Sequence, residues 1–127
     1  MSPQWRSVVE ALEAIAEFFE RLSQPRLGDY FREIATMIQL GRLEEAVQEL
    51  TGTRLWGGAG SYMDRVLYPE DGYVFAEEEF WQVNSEYSRL LLSLLHAVEA
   101  VSPREWMPEL KASLRNCIEY YTQRGDV

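Results

Sequence analysis

Apolar residues recur near the start of the chain at Trp5, Val8, Leu12, Ile15, Phe19 and Leu22. Alternating steps of three and four place them in one stripe of a helix, and Glu10, Glu13, Glu17 and Glu20 lie on another face. Ser2 is a suitable N-cap and Pro3 a suitable first helical residue, because the missing proline N–H would have no partner there. The pattern predicts a helix over residues 3–23. Pro25 and Gly28 interrupt it, and Tyr30, Phe31, Ile34, Ile38 and Leu40 predict a second helix over 27–40, stopped by Gly41. Leu43, Ala46, Val47 and Leu50 predict a third over 42–50. The last two read as a helical hairpin about Gly41, with one kinked helix as the alternative.

The strongest periodicity comes later. Phe80, Asn84, Tyr87, Leu91, Leu94, Val98 and Val101 follow steps of 4-3-4-3-4-3, and Trp81, Leu90, Leu92 and Leu95 widen the stripe. These predict a helix over 76–101 in the middle of the domain, with Glu77, Glu78 and Glu79 in its first turn, where carboxylates complement the helix dipole. Ser102-Pro103-Arg104-Glu105 reads as a capping box opening a short turn at 103–106. Pro108 then starts a last helix over 108–124, carrying Leu110, Leu114, Cys117, Ile118 and Tyr121. Tyr73-Val74-Phe75 is the only strand-like scrap. The expectation is an all-α single domain over 1–127, a helical bundle of about five helices with one long Gly/aromatic-rich loop. The first, fourth and fifth helices would make the bundle core, with the loop packed across it.

That loop spans residues 51–75 and holds five of the eight glycines, Gly52, Gly57, Gly58, Gly60 and Gly72, with Pro69. A connection of this length inside a small domain is functional or disordered. Trp56, Tyr62, Tyr68, Tyr73 and Phe75 are too many bulky apolar groups for a freely solvated linker.

Charge narrows the function. The 127 residues carry 12 Lys+Arg against 21 Asp+Glu, a formal net charge of −9. Wrapping nucleic acid needs a basic face, which this balance opposes; a basic protein partner fits better. All bases except Lys111 are Arg. Glu70, Asp71, Glu77, Glu78 and Glu79 place five carboxylates in ten residues with no base among them, either as a solvated helix start or as a negative patch that docks a basic surface.

The remaining chemistry is sparse. With Cys117 as the only cysteine, no intramolecular disulfide and no thiolate cluster can form. The N-terminus lacks the pattern of a secretory signal, and Leu90-Leu91-Leu92-Ser93-Leu94-Leu95 falls far short of the ~20 apolar residues of a membrane span. A cytoplasmic protein is expected. His96 and Glu99 have the spacing of half a bundle metal site, but a single histidine cannot complete one, so no metal or cofactor is expected. A Cys117–His96 dyad is the catalytic option; Cys117 beside an apolar stripe reads instead as a buried structural thiol. Asn84, within an apolar stripe, reads as a hydrogen-bonded polar core group, with a ligand contact as the alternative.

Gly57-Gly58-Ala59-Gly60-Ser61 admits two readings. A glycine loop before a helix can present a nest of N–H groups to an anion, through Gly57, Gly58, Gly60 and Ser61. No Lys follows the last glycine, as a Walker loop would need, and no strand precedes the loop, as a dinucleotide fingerprint would need. The structural reading is a capping box of Ser61 and Asp64 on a short helical turn near 62–67.

The segment Trp56-Gly57-Gly58-Ala59-Gly60-Ser61-Tyr62-Met63-Asp64-Arg65-Val66-Leu67 resembles one in a family of short, uncharacterised bacterial proteins, with the pattern aromatic-Gly-Gly-x-Gly-Ser-x-x-Asp and an aliphatic pair. Such proteins are similar in size and acidity to the immunity proteins encoded beside bacterial toxins, and no catalytic residues come with the resemblance. It implies a non-enzymatic protein that binds a cognate toxin and occludes its active site. The expected contact residues are Trp56, Tyr62, Tyr68, Glu70, Asp71, Tyr73, Glu77, Glu78 and Glu79. A homodimer is a further option. The rival expectation is a regulatory domain that binds a small molecule or anion at Gly57–Ser61.

Overall fold

The computed structural model, which describes residues 1–126, is all-α, with no strand among the described residues. Five helices are eight residues or longer: α1 (Pro3–Arg21), α2 (Pro25–Gln39), α3 (Leu43–Leu50), α5 (Phe80–Val101) and α6 (Met107–Gly125). A single turn, α4 (Thr53–Trp56), follows α3, and 3-10 turns occupy Pro69–Asp71 and Glu77–Glu79. None of the helices is long and apolar enough to cross a membrane.

Helix ends follow local chemistry. Ser2 Oγ accepts the Trp5 amide at 3.2 Å ahead of Pro3, as the sequence predicts. At the other end of α1, Ser23 takes a left-handed φ of +60°. Its amide reaches Glu20 O at 3.0 Å and the Gln24 amide reaches Phe19 O at 2.8 Å, the paired bonds of a Schellman motif. Helix α2 ends alike, with Gly41 at φ +77°, its amide on Ile38 O and the Arg42 amide on Met37 O. Gly41 thus separates two helices rather than kinking one. Helix α2 begins at Pro25, so neither Pro25 nor Gly28 interrupts it. Gly28 is buried against α1, where a Cβ would come within 2.9 Å of the Ala16 carbonyl oxygen. It sets the close approach of the two helices.

Helices α1, α2 and α5 make the core. Phe18 and Phe19 of α1 pack against Phe31 of α2 and Tyr87 of α5, with ring centroids 5.4–5.9 Å apart. Helix α6 lies along α5 but fully buries only Met107 and Leu114. Of the two helices that flank the α1–α5 pair, α2 buries the more, with Tyr30, Phe31, Ile34, Ala35 and Ile38. An outer helix buries one narrow stripe, and Cys117 falls off it: the thiol is exposed, not the buried group the sequence predicts.

Two predicted caps differ. Ser102 closes the C-terminus of α5 instead of capping a new turn, and the connection to α6 is a turn closed by the Met107 amide on Arg104 O at 3.1 Å. Residues 62–67 form no helix. Ser61 Oγ does accept the Asp64 amide at 3.2 Å, but the turn is not continued, because the Leu67 backbone is drawn onto α5.

Candidate functional site

The segment between α4 and α5 has little regular structure, and core side chains supply its backbone partners. Asn84, 1 % exposed on α5, accepts the Leu67 amide at 2.8 Å and donates to the Leu67 carbonyl at 3.0 Å. Its amide nitrogen also donates to Phe80 O at 3.0 Å, so the whole group is satisfied. The Tyr87 hydroxyl donates to the Tyr62 carbonyl. Gln24 Nε2 donates to Gly72 O at 2.8 Å, and the Val74 amide to Leu22 O at 2.9 Å, tying the far end of the segment to the α1–α2 corner. Tyr62, Leu67 and Tyr73 are buried as a result.

These bonds decide the glycine loop. The Gly57 amide donates to Thr53 O at 2.8 Å and the Ser61 amide to Gly58 O at 3.1 Å. The amides of Tyr62 and Met63 close back onto Arg54 O and Leu55 O. Ser61 is buried, with its hydroxyl in the turn to Asp64, while Gly57, Gly58 and Gly60 are exposed. Gly58 and Gly60, at φ +63° and +88°, serve the reversal. The structure therefore brings Gly58 and Gly60 to the surface without Ser61.

Beside the loop, four side chains stack in a column. The Tyr30 and Tyr62 rings lie parallel at 4.8 Å. The Arg54 guanidinium covers Tyr30 at 4.4 Å and that of Arg65 covers Tyr62 at 4.8 Å. The Tyr30 hydroxyl donates to Glu49 at 2.8 Å; burial first, then this carboxylate, pushes its pKa far up. Trp56 is also internal, its indole N–H donating to Leu50 O at 2.7 Å.

Of the nine expected contact residues, Trp56, Tyr62 and Tyr73 are thus core groups. With only 5–7 % of each residue accessible, none of the three can anchor a partner protein's surface. The other six are exposed: Tyr68 (43 % accessible), Glu70, Asp71, Glu77, Glu78 and Glu79. Among the described residues none of these five carboxylates lies in an ion pair. Glu70 and Asp71 occupy one 3-10 turn, and Glu77, Glu78 and Glu79 the other, which runs into α5. Val74, 63 % exposed, stands between the two.

The acidic turns adjoin an aromatic surface of which hydrophobic periodicity assigns Phe80, Trp81 and Tyr121 to the core. Tyr68 stacks on Phe80 at 5.2 Å, Phe80 meets Trp81 at 4.9 Å, and Trp81 meets both Tyr120 and Tyr121 of α6 at 6.2 Å. Arg124 covers Tyr120, 46 % exposed, at 3.5 Å. All of these rings keep partial exposure. The sequence signal was present in Glu77–Glu79 immediately before Phe80. A helix that starts in three exposed acids has its first turn at the edge of the core.

His96 is exposed on α5 and lines a groove with α1. Among the described residues no three His, Cys, Asp or Glu side chains come together as a metal-holding group. Comparison with family models, with curated proteins and with solved structures returns no match.

Proposed function

We propose that this chain is a non-enzymatic protein-binding module, an immunity protein that neutralises a basic toxin by covering its active or substrate site. The observation that supports it is the continuity of five unpaired carboxylates with a ladder of half-exposed rings at one end of the bundle. Aromatic and Arg side chains dominate binding hot spots, and uncompensated charge steers association and selects the partner. Here Tyr68, Phe80, Trp81, Tyr120 and Arg124 are the anchors, and Glu70, Asp71 and Glu77–Glu79 are the steering groups. The resemblance of residues 56–67 to short bacterial proteins with immunity-protein character points the same way. No specific observation favours anion binding at Gly57–Ser61, since Ser61 is buried and the amides of Gly57 and Ser61 donate to Thr53 O and Gly58 O.

The test is a comparison of wild type with two exposed variants against the partner captured from the native host. Changing Glu77, Glu78 and Glu79 together to Lys slows association by about tenfold or more at low salt and flattens its salt dependence. Tyr120→Ala speeds dissociation. Unchanged kinetics in both variants overturn the assigned face, and a partner whose toxicity is not relieved by stoichiometric chain overturns the immunity role.

A further inference from the structure

A second concave site lies away from this face. A cavity of about 420 Å³ opens between the α3–α4 turn and the start of α6, with Trp56, Trp106, Glu109 and Ser113 among its walls. It sits at the low end of the size range of small-molecule sites. The α6 axis rises ~1.5 Å per residue, which sets Trp106–Ser113 about 15 Å from the Tyr120–Tyr121 anchors. The two sites do not overlap.

Its two indoles differ in burial. Trp56 is fixed, its indole N–H bound to Leu50 O at 2.7 Å. Gly52 and Gly57 hold the backbone tight beside it: a Cβ at Gly52 would meet Gln48 O at 2.8 Å, and one at Gly57 would meet Thr53 at 2.7 Å. Trp106, 36 % exposed, stands in another wall.

The charge at the cavity has one sign. Glu109 is the only ionisable side chain in its lining, and no Lys or Arg compensates it within ion-pair distance. It lies in the first turn of α6. Two indoles and one uncompensated carboxylate around a small cavity suit an organic cation. An indole π system attracts such a charge, a carboxylate neutralises it, and apolar walls take its methyl or alkyl groups. A phosphate or carboxylate ligand would face Glu109 with no base to receive it.

We infer that this cavity binds a small monovalent organic cation, a trimethylammonium or alkylammonium group, between Trp56, Trp106 and Glu109. The probes are choline and its uncharged isostere 3,3-dimethylbutan-1-ol, titrated into the full chain while the four tryptophan indole N–H resonances are followed by 1H–15N NMR. Choline moves the Trp106 and Trp56 signals saturably, and the isostere binds at least about tenfold more weakly. Glu109→Gln, a near-isosteric change at an exposed position, weakens choline by about tenfold, and Trp106→Ala removes saturable binding. Equal affinity for the isostere, no saturation with choline, or inorganic phosphate binding more tightly than choline overturns the assignment. A short peptide bearing trimethyllysine is the last arm. Binding weaker than choline supports a free ligand, and tighter binding overturns the free ligand in favour of a side chain.

Discussion

Asn84 is one polar side chain inside an apolar stripe, and three backbone groups depend on it. Its carboxamide binds both the N–H and the C=O of Leu67, as a neighbouring strand would, and caps Phe80 O as well. Truncating it would leave Leu67 N and O buried without partners, at about 1–3 kcal/mol for each orphaned group. Asn84→Ala is therefore expected to lower unfolding stability by about 3 kcal/mol in urea titration with little change in slope, and to remove hydrogen-exchange protection at the Leu67 amide. Asn84→Asp keeps the acceptor for the amide but turns a second oxygen toward the Leu67 carbonyl, so it is expected to destabilise comparably. This role was legible in the sequence, because a lone amide at a helix-core position needs partners. Which partners was not, since Leu67 lies 17 residues away on a segment without periodicity.

At the scale of the element, α1 and α2 end in the same motif with different residues. Gly41 takes φ +77° without a Cβ, whereas Ser23 takes φ +60° with one. A left-handed conformation costs an ordinary L-residue about 1 kcal/mol relative to glycine. Ser23 is exposed and its side chain makes no hydrogen bond among the described residues. Ser23→Gly is therefore expected to raise stability by about 0.5–1 kcal/mol, read as a higher urea midpoint. The sequence pattern carries α1 through Ser23 because Leu22 continues the apolar stripe; the helix ends two residues earlier, at Arg21, and Leu22 O meets the Val74 amide. Proline and glycine mislead in a related way at α2. Pro25 is a starter, and Gly28 is a contact with Ala16, since local rules read glycine as a break whether the absent Cβ serves a turn or a neighbouring helix.

Across the whole molecule, the phenols link packing to pH. Burial raises the Tyr62 and Tyr87 hydroxyls above their ordinary pKa of 10.0, and Tyr30 is raised by burial and by its bond to Glu49. A raised folded-state pKa keeps stability intact below the unfolded value. Above about pH 10 the unfolded chain releases protons that the native state retains, so stability falls as pH rises. Urea midpoints are expected to decline between pH 9.5 and 11 by this linkage, and phenolate absorbance from these buried rings is expected to appear only with loss of helical circular dichroism. Early phenolate absorbance from Tyr30, Tyr62 and Tyr87 in the folded chain would contradict it. The sequence by itself determined the helical class, the positions of the five longer helices within a few residues, the acidic cluster at 70–79 and the aromatic content of the long connection, because these follow from spacing and charge along the chain. Only the tertiary structure decided which aromatic residues face inward. Tyr62 and Tyr73 are drawn into the core by backbone bonds from distant side chains, while Phe80, Trp81, Tyr120 and Tyr121 meet at the bundle's end. Periodicity gives the face of a helix but not whether another element covers that face, and covering is a property of the assembled chain.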